Sequence, residues 1–99
     1  MFNTKHRLLR EMAGRNPHIR NLLPVASVVF DALDKGGHSY GPHRTHQVRI
    51  GVDMVGKFAH PDRAARKPSR IVIERYGRVL KEFCTVDDAI AFHHNPRLP

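Results

Sequence analysis

Residues 71–92 read IVIERYGRVLKEFCTVDDAIAF, and they decide the fold. Ile71-Val72-Ile73-Glu74 and Val79-Leu80-Lys81-Glu82-Phe83 are apolar-rich runs on either side of Arg75-Tyr76-Gly77-Arg78. A glycine between two such runs marks a β-hairpin. Two loop lengths fit. A two-residue loop, Tyr76-Gly77, pairs Ile73 with Leu80. A three-residue loop with Gly77 left-handed pairs Ile73 with Val79 and Glu74 with Arg78. The second register gathers Ile71, Ile73, Val79 and Phe83 on one face. It is preferred because a slip of one residue turns every side chain to the other face. The hairpin runs directly into a helix start. Thr85 is placed to cap it and Asp88 to return the bond, while Asp87 and Asp88 suit the positive end of the helix dipole. Val86, Ala89, Ile90 and His93 form the side expected to face the sheet, with Phe92 flanking. Asn95-Pro96 stops the helix.

Upstream, Val48, Ile50, Val52 and Met54 alternate with Gln47, Arg49, Gly51 and Asp53. That period of two predicts a strand with one buried and one wet face. A long basic loop follows over residues 56–69, with Pro61 and Pro68 and a short helical turn allowed at Ala64-Ala65. Residues 38–45, HSYGPHRT, form a loop by composition. Before them Ile19, Leu22, Leu23, Ala26, Val29, Phe30 and Leu33 recur at helical spacing, after Asn16-Pro17 as cap and first residue. Pro24 lacks the amide donor and clashes with the preceding turn, so it kinks this helix or opens a new one there. Gly36-Gly37 ends it. A first helix is capped by Thr4, carries Leu8, Leu9 and Met12 on one side, and stops at Gly14. The order is α-α-β-β-β-α. The expected fold is a single small α+β domain over residues 1–99. It has two N-terminal helices, the second kinked at Pro24, then a three-stranded antiparallel sheet and a C-terminal helix.

At 99 residues the chain buries one modest core and gains from a partner or a homodimer. No apolar run approaches the ~20 residues of a membrane span. The first residues lack the apolar core of a signal peptide. With a single cysteine, Cys84, these features predict a cytoplasmic protein.

The charge is concentrated. Residues 42–81 hold ten basic side chains: Arg44, Arg49, Lys57, Arg63, Arg66, Lys67, Arg70, Arg75, Arg78 and Lys81. Only Asp53, Asp62 and Glu74 oppose them, a net +7 in a chain of net +8. A second basic zone lies in residues 1–20, and the remaining segments are mildly acidic. Twelve arginines against five lysines suit bidentate phosphate recognition, although a GC-rich coding genome also raises arginine. If the loop folds back beside the hairpin tip, its cations and those of the tip make one surface for a polyanion. The candidate nucleic-acid contacts are Arg44, Arg49, Lys57, Arg63, Arg66, Lys67, Arg70, Arg75 and Arg78. Gln47 and Arg49, on the wet strand face, are positioned for base edges.

His38, His43 and His46 fall within nine residues, and three imidazoles hold zinc with an open fourth position. No cysteine pair or HExxH motif supports a metal, so ordinary satisfied histidines are the expectation and no cofactor is implied. Tyr40, His43, His46 and Arg49 are the residue types of a metal-independent ribonuclease: proton shuttle plus phosphate clamp.

Gly41-Pro42-His43, Val48-x-Ile50-x-Val52 and Gly56-Lys57 resemble the opening strand of a double-stranded-RNA-binding domain. That resemblance implies RNA contact through the start of the last helix. The family's lysine-rich run there is replaced by Thr85-Val86-Asp87-Asp88. Three strands followed by Phe83-x-Thr85-x-x-Asp88-Ala89 are also similar to the sheet-plus-helix DNA-binding modules of plant transcription factors and integrase arms. That likeness implies reading DNA with the sheet. Both are likenesses of architecture, which does not carry function.

The leading expectation is a noncatalytic nucleic-acid-binding accessory or regulatory protein, of the kind found in phages and mobile elements. Two others come from different classes. One is an interaction or inhibitor protein docking its basic face on an acidic protein or in a nucleic-acid channel. The other is the small ribonuclease.

Overall fold

The computed structural model describes residues 4–15, 20–50, 53–54 and 70–99. Helix α1 spans Thr4–Arg15 and α2 spans Leu23–Lys35. Strands β1 (Gln47–Ile50), β2 (Asp53–Met54), β3 (Ile71–Arg75) and β4 (Arg78–Phe83) precede helix α3 (Val86–His94). The fold is α+β, with an open antiparallel sheet in the order β2-β1-β3-β4. Its three principal strands are the ones expected, and β2 adds a two-residue edge.

Pro24 resolves the ambiguity of the second helix. It lies in the first turn of α2, where its missing amide proton has no intrahelical partner to lose, so it opens the helix instead of kinking it. The expected Asn16-Pro17 start and Ile19 lie outside the described residues. At the far end Gly37 is left-handed (φ 74°), and the amides of Gly37 and His38 donate to the carbonyls of Asp34 and Leu33. That is a Schellman ending, and glycine supplies it without strain. Gly36 next to it has no room for a side chain: a Cβ would lie 2.7 Å from both the His38 ring and the Pro96 carbonyl oxygen.

The first strand differs from expectation. The alternation was read through Met54, but β1 ends at Ile50 and β2 pairs back on it, with Ile50 opposite Asp53 and Arg49 opposite Met54. Gly51, inside the alternating run, is the sequence feature that weakens a continuous strand.

The hairpin also differs. Arg75 opposes Arg78 and Glu74 opposes Val79, so the loop is the two-residue Tyr76-Gly77. Both loop residues have positive φ, as a type I′ turn requires. Beyond Glu74 the register shifts, and Ile73 opposes Lys81 while Ile71 opposes Phe83. Leu80 is therefore the extra residue of a β-bulge. The bulge lets a two-residue turn coexist with a core-facing Phe83. The two-residue turn itself puts Val79, expected in the core, beside Glu74 on the outer face, where it is 51% exposed.

The core is one buried cluster among the described residues. Leu8 of α1, Val25, Ala26, Val29, Phe30 and Leu33 of α2, Val48 and Ile50 of β1, Ile71 and Ile73 of β3, and Phe83 of β4 meet Ala89 and Phe92 of α3. Helix α3 begins as expected. The Asp88 amide donates to Thr85 Oγ1, and the Cys84 and Thr85 amides donate to Asp88 Oδ2. Those amide donors hold the Asp88 carboxyl below its ordinary range. The rotation of α3 is not the expected one. Ala89 and Phe92 are buried, whereas Val86 and Ile90 are 36% and 42% exposed. The Phe92 ring lies 5.4 Å from that of Phe83, and burying this aromatic pair outweighs burying the smaller Val86 and Ile90. Among the described residues, no helix is long and apolar enough to cross a membrane.

The rotation of α3 has a measurable consequence. Phe92→Ala should destabilise the fold by about 3–5 kcal/mol, and Ile90→Ala by under ~1 kcal/mol. Urea denaturation of the two variants checks this ordering.

Candidate nucleic-acid interface

The sheet has two unlike faces. Val48, Ile50, Ile71, Ile73 and Phe83 point into the core. Gln47, Arg49, Val72, Glu74 and Val79 lie on the other side by alternation and register. Val72 is buried there without joining the core cluster, so β3 is shielded on both faces.

The cations on this outer face have acidic partners. Arg49 Nε donates to Glu74 Oε2 at 2.5 Å, with the Glu74 side chain only 12% exposed. Arg70 Nη1 donates to Glu82 Oε1 at 2.8 Å, an exposed pair of the kind that contributes at most ~1 kcal/mol. Gln47 Nε2 donates to the Arg44 carbonyl oxygen at 2.8 Å. Gln47 and Arg49, expected to face base edges, are thus engaged within the protein.

The tip of the β3–β4 hairpin is different. Arg75 and Arg78 stand directly opposite each other, both exposed, with no acidic partner among the described residues. Like charges at facing positions repel and destabilise a ladder. The Arg75 guanidinium carbon lies 5.5 Å from the centroid of the Tyr76 ring. Tyr76 is 88% exposed with φ 52°, a left-handed conformation unusual for a bulky residue. Arg44 belongs to this end of the sheet as well. It lies three residues before the start of β1, and Gln47, the first residue of β1, pairs with Glu74, next to Arg75. It is exposed, and with Arg7, Glu11, Pro42 and His43 it lines a shallow groove between α1 and the loop before β1.

Of the nine expected contact residues, Arg44, Arg75 and Arg78 therefore gather at one end of the sheet. Arg70 sits at the opposite end of β3, and Arg49 lies between, neutralised by Glu74. Lys57, Arg63, Arg66 and Lys67, with His60, lie outside the described residues. Lys81 covers the rim of the core, with Nζ 5.4 Å from the Phe92 centroid. Tyr76 was read from the sequence only as a turn residue. The signal for more was an aromatic at a turn position that ordinarily takes Asn, Asp or Gly, flanked by two arginines.

His38, His46 and Tyr40 are built into the scaffold, while His43 is exposed. The loop before β1 is closed by backbone bonds from His46 N to Ser39 O and from Gly41 N to His46 O. His46 is buried, its Nδ1 3.1 Å from Ser39 O, and its ring meets that of His38 edge-on at 5.2 Å. His38 Nε2 lies 2.9 Å from Pro96 O, tying the end of α2 to the tail. Tyr40 stacks on Phe30 at 5.2 Å and donates to Asp34 Oδ2 at 3.3 Å. Burial, then the Asp34 carboxylate, pushes its phenol well above the ordinary range, so it stays protonated at neutral pH. The Tyr40, His43, His46 and Arg49 set is thereby split: Tyr40 and His46 are buried packing groups and Arg49 is on the outer sheet face. Among the described residues, no three His, Cys, Asp or Glu side chains cluster as a metal site needs.

No protein-family model, no curated protein and no solved structure matches the chain.

The turn conformation makes a further expectation. Asn adopts positive φ at lower cost than Tyr, so Tyr76→Asn should raise stability by about 1 kcal/mol. Differential scanning fluorimetry should show a melting point higher by roughly 4–8 °C.

Proposed function

We propose that this chain is a noncatalytic nucleic-acid-binding protein of accessory or regulatory type that engages phosphates through the β3–β4 hairpin tip. The observation that carries the reading is the facing pair Arg75 and Arg78, exposed and without a carboxylate partner among the described residues, while Arg49 and Arg70 are paired with Glu74 and Glu82. Two repelling guanidinium groups at a turn are relieved by an anion between them, and Arg forks match phosphate oxygens. Arg44 at the same end of the sheet extends the cationic surface toward α1. The net +7 of residues 42–81 supplies long-range attraction to a polyanion. Lys57, Arg63, Arg66 and Lys67 add to this field and are assigned here to the same ligand. A cytoplasmic setting goes with this reading, since nucleic acid is the partner and the exposed Cys84 thiol stays reduced there.

The test is the salt dependence of binding. Fluorescence anisotropy with a labelled duplex should give log affinity falling linearly with log salt, at about −0.9 per phosphate neutralised. The Arg75→Gln/Arg78→Gln double variant should flatten that slope by about 2. Its fold should be no less stable than wild type, because the facing repulsion is removed. Arg70→Gln should change the slope by less, its charge being already paired. Absence of salt-sensitive retention of any nucleic acid at about 50 mM salt overturns the reading.

A further inference from the structure

We infer that Tyr76 is a stacking platform for an unpaired base, so that the ligand of the hairpin tip is a single-stranded nucleic acid. This rests on the nucleic-acid reading above and narrows it. Three observations meet at one residue. Tyr76 is the most exposed large hydrophobic side chain among the described residues, at 88%. Its ring contributes nothing to the core cluster. Its backbone is held at φ 52° in a turn where Asn or Gly would sit without strain. A bulky residue kept in such a conformation at full exposure is maintained against local stability.

The surroundings of the ring define what it would take. Arg75 lies 5.5 Å from the ring centroid, and Arg78 stands opposite Arg75 across the two-residue turn. An aromatic ring with one guanidinium beside it and a second across the turn matches one nucleotide step: base on ring, flanking phosphates on guanidinium groups. Stacking of this kind is tolerant of base identity, since every base has a π-face. In a duplex those faces are covered by neighbouring base pairs and only edges and phosphates are offered. A protruding ring between two arginines therefore gains its full contact only on an unpaired strand.

The experiment uses the full chain and three labelled probes of about 20 nucleotides: oligothymidylate, oligouridylate and a base-paired duplex. Tyr76→Phe should bind all three like wild type, within about twofold, because the ring is kept. Tyr76→Asn should weaken single-strand binding by roughly 5- to 150-fold and leave duplex binding within about twofold. Its melting point, at or above wild type, separates this loss from unfolding. The two single-strand arms distinguish DNA from RNA, and the selective loss on either supports the inference. If Tyr76→Asn binds single strands like wild type, or loses duplex affinity equally, the stacking role is overturned and the broader binding reading stands. If the wild-type chain retains none of the three probes, both fail together.

Discussion

The register of β3 against β4 is the constraint on which the rest of this structure depends. A two-residue turn at Tyr76-Gly77 fixes the pairing at the tip, and one extra residue, Leu80, resets it before the core is reached. Without the bulge, Phe83 would change faces, because side chains alternate with a strict period of two. With it, Phe83 falls opposite Ile71 and meets Phe92. That ring contact then sets the rotation of α3, and α3 closes over α2 in the same cluster. The bonds of Lys35 and His38 to the carbonyl oxygens of His93 and Pro96 fasten the far ends of these two helices together.

The same register distributes the charge. The outer face receives Arg49 and Glu74 from neighbouring strands, close enough to pair, and sets Glu82 within reach of Arg70. The half-buried Arg49 needs such a partner, because an unpaired charge leaving water is expensive. At the tip no desolvation forces a pairing. Arg75 and Arg78 keep their charge in solvent, where repulsion is screened and tolerable. The core side of the hairpin is thus packed within the fold, and the tip faces solvent.

Much of this was legible in the sequence where the signal is local. The Thr85/Asp88 capping box and the Gly36-Gly37 ending follow from backbone chemistry within a few residues, whereas the sequence left Pro24 open between kink and start and only the structure places it in the first turn. The misses share one cause. The two-residue turn sets Val79 beside Glu74 on the outer face, and the bulge at Leu80 that returns Phe83 to the core is invisible to a count of alternating residues. Gly51 was counted as an outward position of a strand that in fact ends at Ile50. The face of α3 was read from Val86, Ala89, Ile90 and His93, but a nine-residue helix with several apolar stripes is oriented by its largest contact, which lies across the sheet. For the candidate site, composition located the cations but not their partners. Arg49 and Arg70 look identical to Arg75 and Arg78 in a charge count. Only the pairing of strands brings Glu74 and Glu82 to the first two and leaves the others without an acidic partner among the described residues.

The hairpin tip combines three local disadvantages in four residues: facing like charges, an exposed aromatic ring, and a bulky side chain at positive φ. Each is separately removable by a single substitution that the fold would accept, since none of these side chains belongs to the core. The Thr85/Asp88 capping box and the Gly37 helix ending agree with the structure around them, whereas the hairpin tip goes against its local preferences. Conflicts of this kind are expected at functional sites, where stability is given up for a surface that completes itself on a ligand. An anionic strand bearing exposed bases removes all three disadvantages at once: phosphates between the arginines, a base over the ring, and contact energy set against backbone strain. A bare phosphate or an acidic protein side chain addresses only the first, so on the proposed reading the tip favours a nucleic acid over anions in general.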